Sequence, residues 1–259
     1  MKGKSVIIIC LLLVFAISLN AQTFKIEGVK YNVYGDGKVE VKGSSKKVLS
    51  IPSTVTYNGK VYTVERIGDN AFEKSNLEQI ELPTTLKIIG RWAFSCTKNL
   101  KSVKIPKGVV MIGFCTFSRS GLEQIELPTT LKIIGGSAFS GTKNLKSIKI
   151  PEGVEVIGDH VFSFSGLEHI ELPSFLKSIG KNAFSFIHNL KYIKIPKGVE
   201  VIGFGTFSDG GLEHIELPTT LKRIDGYAFG STRNLKKIKI PEGVEVIGSR
   251  VFFLVVWSI

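Results

Sequence analysis

Nine phenylalanines at near-constant intervals, Phe72, Phe94, Phe117, Phe139, Phe162, Phe184, Phe207, Phe229 and Phe252, restrict this chain to a stack of short repeats. Eight leucines, from Leu77 to Leu235, open the same pattern, and each is followed six residues later by a proline, from Pro83 to Pro241. The intervals between these leucines alternate between 23 and 22 residues, so the full period is a double unit of 45. The one-residue difference falls in the loop after the phenylalanine, SCTKN at residues 95–99 but SRSG at residues 118–121. A loop absorbs an extra residue where a packed strand cannot.

A single unit is too small to bury its own apolar face. In residues 77–94, LEQIELPTTLKIIGRWAF, the recurring apolar positions are Leu77, Ile80, Leu82, Leu86, Ile89, Ala93 and Phe94. The Leu-x-x-Ile-x-Leu run predicts a short strand with Ile80 and Leu82 inward and Gln79 and Glu81 outward. Proline ends it, having no N–H to continue a ladder. A second extended segment then runs through Ile89. The glycine column Gly68, Gly90, Gly113 and Gly135 predicts a turn with positive φ, and Asp225 is expected to tolerate that conformation where it replaces glycine. Stacking buries a phenylalanine spine, each ring contributing about 1.5–3 kcal/mol. The expected architecture is a β-rich solenoid, a curved right-handed coil of about nine 22/23-residue units with a parallel sheet face.

Residues 1–21 predict a secretory signal: Lys2 and Lys4, an apolar stretch over residues 6–19, and Ala21 before the cleavage point. The stretch is shorter than the roughly 20 residues of a spanning helix. Cys10 sits too early in it to be a lipidation site. Losing Lys2 and Lys4 takes the net charge from +12 to +10. Cys96 and Cys115 remain, too few for a disulfide scaffold, and whether they pair is open. The remaining chain divides into a β-rich cap at residues 22–47 and the solenoid at residues 48–259. Its last residues, Phe253-Leu-Val-Val-Trp-Ser-Ile259, are apolar where the repeat calls for a polar loop. That end is expected to fold back as a plug, to mediate self-association, or to mark a truncated longer protein.

The pattern L-x-x-I-x-L-P-x-x-L-x-x-I-G-x-x-A-F resembles the BspA-like leucine-rich repeats of exported bacterial proteins, from about residue 24 to residue 252. The resemblance implies a repeat scaffold, an N-terminal capping hairpin around Gly35-Asp36-Gly37, and a hairpin inserted at residues 55–63, where Asn58-Gly59 is a type I′ turn signal. It adds adhesion as a functional theme. No asparagine ladder is present: Thr85, Gly108, Thr130 and Gly153 fill that column, so the turn must satisfy its carbonyls in another way.

Two outward strand columns alternate in sign, Glu78, Lys101, Glu123, Lys146 in one and Glu81, Lys104, Glu126, Lys149 in the other, and both continue to the end of the repeats. In a continuous parallel stack every acid would lie between two bases, an exposed ladder worth about 0.2–1 kcal/mol per pair that also opposes a slip by one unit. The acids cancel the field that a nucleic acid would require, so no nucleic-acid partner is expected.

The chain has no glycine-rich phosphate loop, metal-ligand cluster or nucleophile motif, and no cofactor is expected. Glu78 and Glu81 recur in every second unit, unlike a catalytic pair. His169 and His214, two strands apart at roughly 9–10 Å, are too distant to share a metal. A third outward column reads Gln79, Ser102, Gln124, Ser147, His169, Tyr192, His214, Lys237 and grows larger toward the C-terminus. Gln124, Ser147, His169, Tyr192, His214 and Lys237 are therefore the candidate partner-binding residues, since Tyr and His combine apolar area with a polar tip. The expected function is a non-catalytic, adhesin-like module, cell-surface or secreted, that binds a protein of a host or neighbouring cell. The alternative is a carbohydrate-binding component of a polysaccharide-capture system, which calls for exposed aromatic platforms; on the strand face the sequence offers mainly Tyr192.

Overall fold

A computed structural model describes residues 22–255, and the expectations for residues 1–21 and for the last four residues lie outside that range. The first three strands, β1 (Thr23–Ile26), β2 (Val29–Gly35) and β3 (Lys38–Ser44), form an antiparallel meander. After β4 (Val48–Ser50), strands β5 (Thr54–Tyr57) and β6 (Lys60–Ile67) make a hairpin whose turn residues Asn58 and Gly59 both take positive φ. The chain switches to parallel pairing where β6 meets β3, and every later pairing is parallel.

From β6 onward the described chain is a β-solenoid without a helix. Its continuous ladder is built from the second extended segment of each unit, two residues long: Ile88–Ile89, Met111–Ile112, Ile133–Ile134, and so on to Val246–Ile247. The inner isoleucine of each rung from Ile67 to Ile224 is buried. Val246–Ile247 is the last rung among the described residues, and Ile247 is 54% exposed where its counterparts are buried.

The phenylalanine spine forms as expected. Rings from Phe72 to Phe252 stack nearly parallel, with centroids 5.3–5.7 Å apart. The arc carrying them also hydrogen-bonds turn to turn. Trp92, Phe94 and Cys96 donate their N–H groups to the carbonyls of Phe114, Thr116 and Ser118, and the same three bonds recur up the stack.

The glycine column has a different cause from the one the sequence suggested. Gly90, Gly113 and Gly135 do not have positive φ. A Cβ on Gly113 would lie 2.8 Å from the carbonyl carbon of Gly90, and one on Gly135 only 2.6 Å from that of Gly113, so at these two turns close backbone approach disfavours a side chain. Asp225, which carries a side chain in the same column, is not left-handed either. Positive φ occurs two residues later, at Trp92, Cys115, Ser137, His160, Asn182, Gly205, Tyr227 and Arg250, and again at the Cys96 position. The turn carbonyls are satisfied by threonine: Thr85 donates to Val64 O at 2.6 Å, Thr130 to Val109 O at 2.9 Å and Thr220 to Val199 O at 3.2 Å.

Candidate functional site

The three-residue strands that carry the outward columns do not form one sheet. They associate two by two: Ser102–Lys104 with Gln124–Glu126, Ser147–Lys149 with His169–Glu171, and Tyr192–Lys194 with His214–Glu216. Each pair spans a 22-residue step, and the ladder breaks at each 23-residue step between these pairs. The short loop explains the pairing. Its terminal glycine donates to the loop beneath, Gly121 N to Thr97 O, Gly166 N to Thr142 O and Gly211 N to Ile187 O, at 2.8–3.1 Å. The five-residue loop before the other strand lacks this clamp, and the extra residue lets the two strands separate.

The ion pairs follow the same grouping, which corrects the continuous ladder expected from sequence. Lys101–Glu123, Lys146–Glu168, Lys149–Glu171 and Lys194–Glu216 are 2.7–3.0 Å apart, all across 22-residue steps. Lys236–Glu213, at 2.5 Å, crosses a 23-residue step, where His214 and Lys237 also make an isolated bridge. These side chains are largely solvated, so each pair contributes little to stability.

The candidate contact column divides accordingly. Gln124 lies beside Ser102, Ser147 beside His169, and Tyr192 beside His214 with Lys237 next to it. His169 faces Tyr192 only across an open step, so the ring does not sit evenly between two imidazoles. Tyr192 is 49% exposed and donates its hydroxyl to Glu216 Oε1 at 2.5 Å. That bond raises the Tyr192 phenol above its ordinary value and holds the Glu216 carboxyl below its own.

Two exposed aromatic features escape a purely periodic reading. Phe175 is 72% exposed and stands where Thr85, Thr130 and Thr220 cap carbonyls in the other units of its type. The signal was present as LPSFL in place of LPTTL. The second feature lies on the arc of left-handed residues, where Trp92 meets Phe114 edge-on at 5.3 Å and Phe164 stacks on Phe186 at 4.3 Å. Farther along, Tyr227 contacts Phe204 and Phe253, and the Arg250 guanidinium lies 5.8 Å from the Tyr227 and Phe253 ring centroids. Cys96 and Cys115 are free thiols, and burial raises Cys115. Among the described residues, no three His, Cys, Asp or Glu side chains group as a metal site, and no helix is long and apolar enough to cross a membrane.

Comparison with known proteins agrees with this geometry. Six copies of the BspA type leucine-rich repeat region match residues 65–185 and 157–255. No curated protein matches the sequence. Among solved structures, a leucine rich cell surface protein from Faecalibacterium prausnitzii is similar at 21% identity and a TM-score of 0.52, over 87% of this chain and 84% of that one. The pneumococcal vaccine antigen PcpA is similar at 22% identity and 0.51, over 88% and 78%. A leucine rich repeat protein of T. pallidum gives 20% and 0.51, over 88% and 86%. At these identities the structures speak to fold alone, whereas the repeat match extends over most of the sequence. The chain belongs to the BspA-type leucine-rich repeat family.

Proposed function

We propose that this chain is an exported, non-catalytic binding module, displayed on the cell surface or secreted, that engages a protein partner in an adhesin-like role. The observation that carries this reading is the register pair Tyr192–His214, extended by Lys237, on an outward face where the repeats from Gln79 to Ser147 carry only serine and glutamine. Tyrosine offers a large contact area for little lost entropy, and a solenoid presents it on a backbone fixed by turn-to-turn bonds. Export is supported by the basic start and apolar stretch of residues 1–21, and by similar structures described as a cell surface protein and a vaccine antigen. The partner is to be sought by capture from host or neighbouring-cell surface extracts. The variant His169→Ala/Tyr192→Ala/His214→Ala should keep the fold, since all three side chains are exposed, and lose at least about tenfold in affinity, or 1.4 kcal/mol. Undiminished binding would move the contact to the hairpin at residues 55–63 or to the aromatic arc.

A further inference from the structure

The open step between His169–Glu171 and Tyr192–Lys194 is more than a gap in the ladder. The two strands belong to different sheets, yet their Cα atoms still come within 8 Å. An inserted peptide strand would need about twice the 4.8 Å interstrand spacing, so strand addition is excluded here. What remains is a slot edged by backbone donors and acceptors that no neighbouring strand uses. Above it lies a groove of about 510 Å³, lined in part by Ile170, Glu171, Tyr192, Lys194 and Lys197. A second hollow of about 590 Å³ adjoins it, shares Ser174 and Lys197, and adds Phe175.

Two departures from the repeat converge on this place. Tyr192 replaces the serine of Ser102 and Ser147, and Phe175 replaces the threonine that elsewhere caps a turn. Neither aromatic contributes to the spine, and the phenylalanine gives up a backbone hydrogen bond that its counterparts make. The charges are also selective. Glu171 is paired with Lys149, Lys194 with Glu216, and Lys177 with Glu155. Lys197, common to both hollows, has no ion-pair partner among the described residues; Glu200, also unpaired, lines only the outer hollow.

We infer that this groove binds an acidic saccharide, a short uronate-bearing chain. Its pyranose faces lie on Phe175 and Tyr192, its carboxylate meets Lys197, and its hydroxyls bond Ser174 and the backbone of the slot. Aromatic faces beside a few converging polar groups suit a ligand that is apolar on its ring faces and polar at its rim. The unpaired cation selects the acidic over the neutral sugar. This inference goes beyond the protein contact proposed above, and it is tested at residues outside that contact column.

The test is calorimetric titration of the chain from residue 22 onward with trigalacturonate and with a hyaluronan tetrasaccharide, using galactotriose as the neutral control. At least one acidic oligosaccharide should bind, and galactotriose should bind about tenfold more weakly or not at all. Phe175→Thr, which restores the residue of the other units and should not lower the thermal midpoint, should weaken acidic-sugar binding about tenfold, as should Lys197→Ala. Protein capture by these two variants should be unaffected, so the two readings fail separately. Absence of binding by both acidic probes at millimolar concentration, equal binding of galactotriose, or full binding by Phe175→Thr would each overturn the inference.

Discussion

A Cβ built on Gly121 would lie 1.9 Å from the carbonyl oxygen of Lys98, a separation no side chain can occupy. Gly166 stands in the same relation to Lys143 and Gly211 to His188, at 1.9 and 1.8 Å. All three glycines enter the strand that follows a short loop, directly above a five-residue loop. Asn76 holds the corresponding place in the first unit, where the cap precedes it and no such loop lies beneath. Gly121→Ala should therefore cost about 1–3 kcal/mol or more in urea unfolding, whereas Asn76→Gly should cost less than about 1 kcal/mol. Equal costs would detach the glycine from the strand pairing.

The spine sets a second expectation. Phe139 is fully buried between Phe117 and Phe162, at 5.6 and 5.7 Å. Phe139→Ala should lose about 3–5 kcal/mol, as expected for emptying a packed aromatic site. Phe252→Ala should lose less, because that ring is only partly buried. Equilibrium denaturation of the two variants checks the order.

The cap should respond to alkali. Burial, with a smaller contribution from the nearby Glu27 carboxylate, pushes the Tyr31 phenol from 10.0 to about 12. The folded chain therefore favours the neutral phenol. The stability this brings is intact below pH 10 and is lost as pH rises through about 12, by an amount on the order of 2–3 kcal/mol. Tyr31→Phe should remove this component, so the difference between parent and variant in thermal midpoint should change between pH 10 and 12 and stay constant below. A constant difference throughout would show that the phenol does not titrate on unfolding.

Charge pairing across a 22-residue step should matter little to stability. A double-mutant cycle on Lys149 and Glu171, 2.7 Å apart and both well solvated, should give only a weak coupling that falls further in high salt. A larger, salt-resistant value would mean that the pair is shielded from solvent.

Export can be checked directly. N-terminal sequencing of the protein recovered from its native cells should begin near Gln22, and an intact Met1 on an intracellular protein would contradict export.

The repeat, its alternating 22- and 23-residue steps, the inward isoleucines and the phenylalanine spine were all legible in the chain, because each depends on local spacing. Leu77, Ile80 and Phe94 recur whatever their neighbours do, and a period of this length has few folded solutions. The candidate column His169, Tyr192, His214 and Lys237 was visible for the same reason. How neighbouring units meet was decided only in three dimensions. Gly90 could be taken for a turn residue until the backbone of Gly68 was found 2.9 Å from where its Cβ would be. The charges of Lys104 and Glu126 look equivalent along the sequence, yet one loop residue determines which strands hydrogen-bond and which stand apart. Phe175 was a single deviation in a column until the open step placed its hollow beside Tyr192 and Lys197. Spacing along the chain specifies what each unit buries; the fit of one backbone against the next fixes where the stack closes and where it leaves a groove.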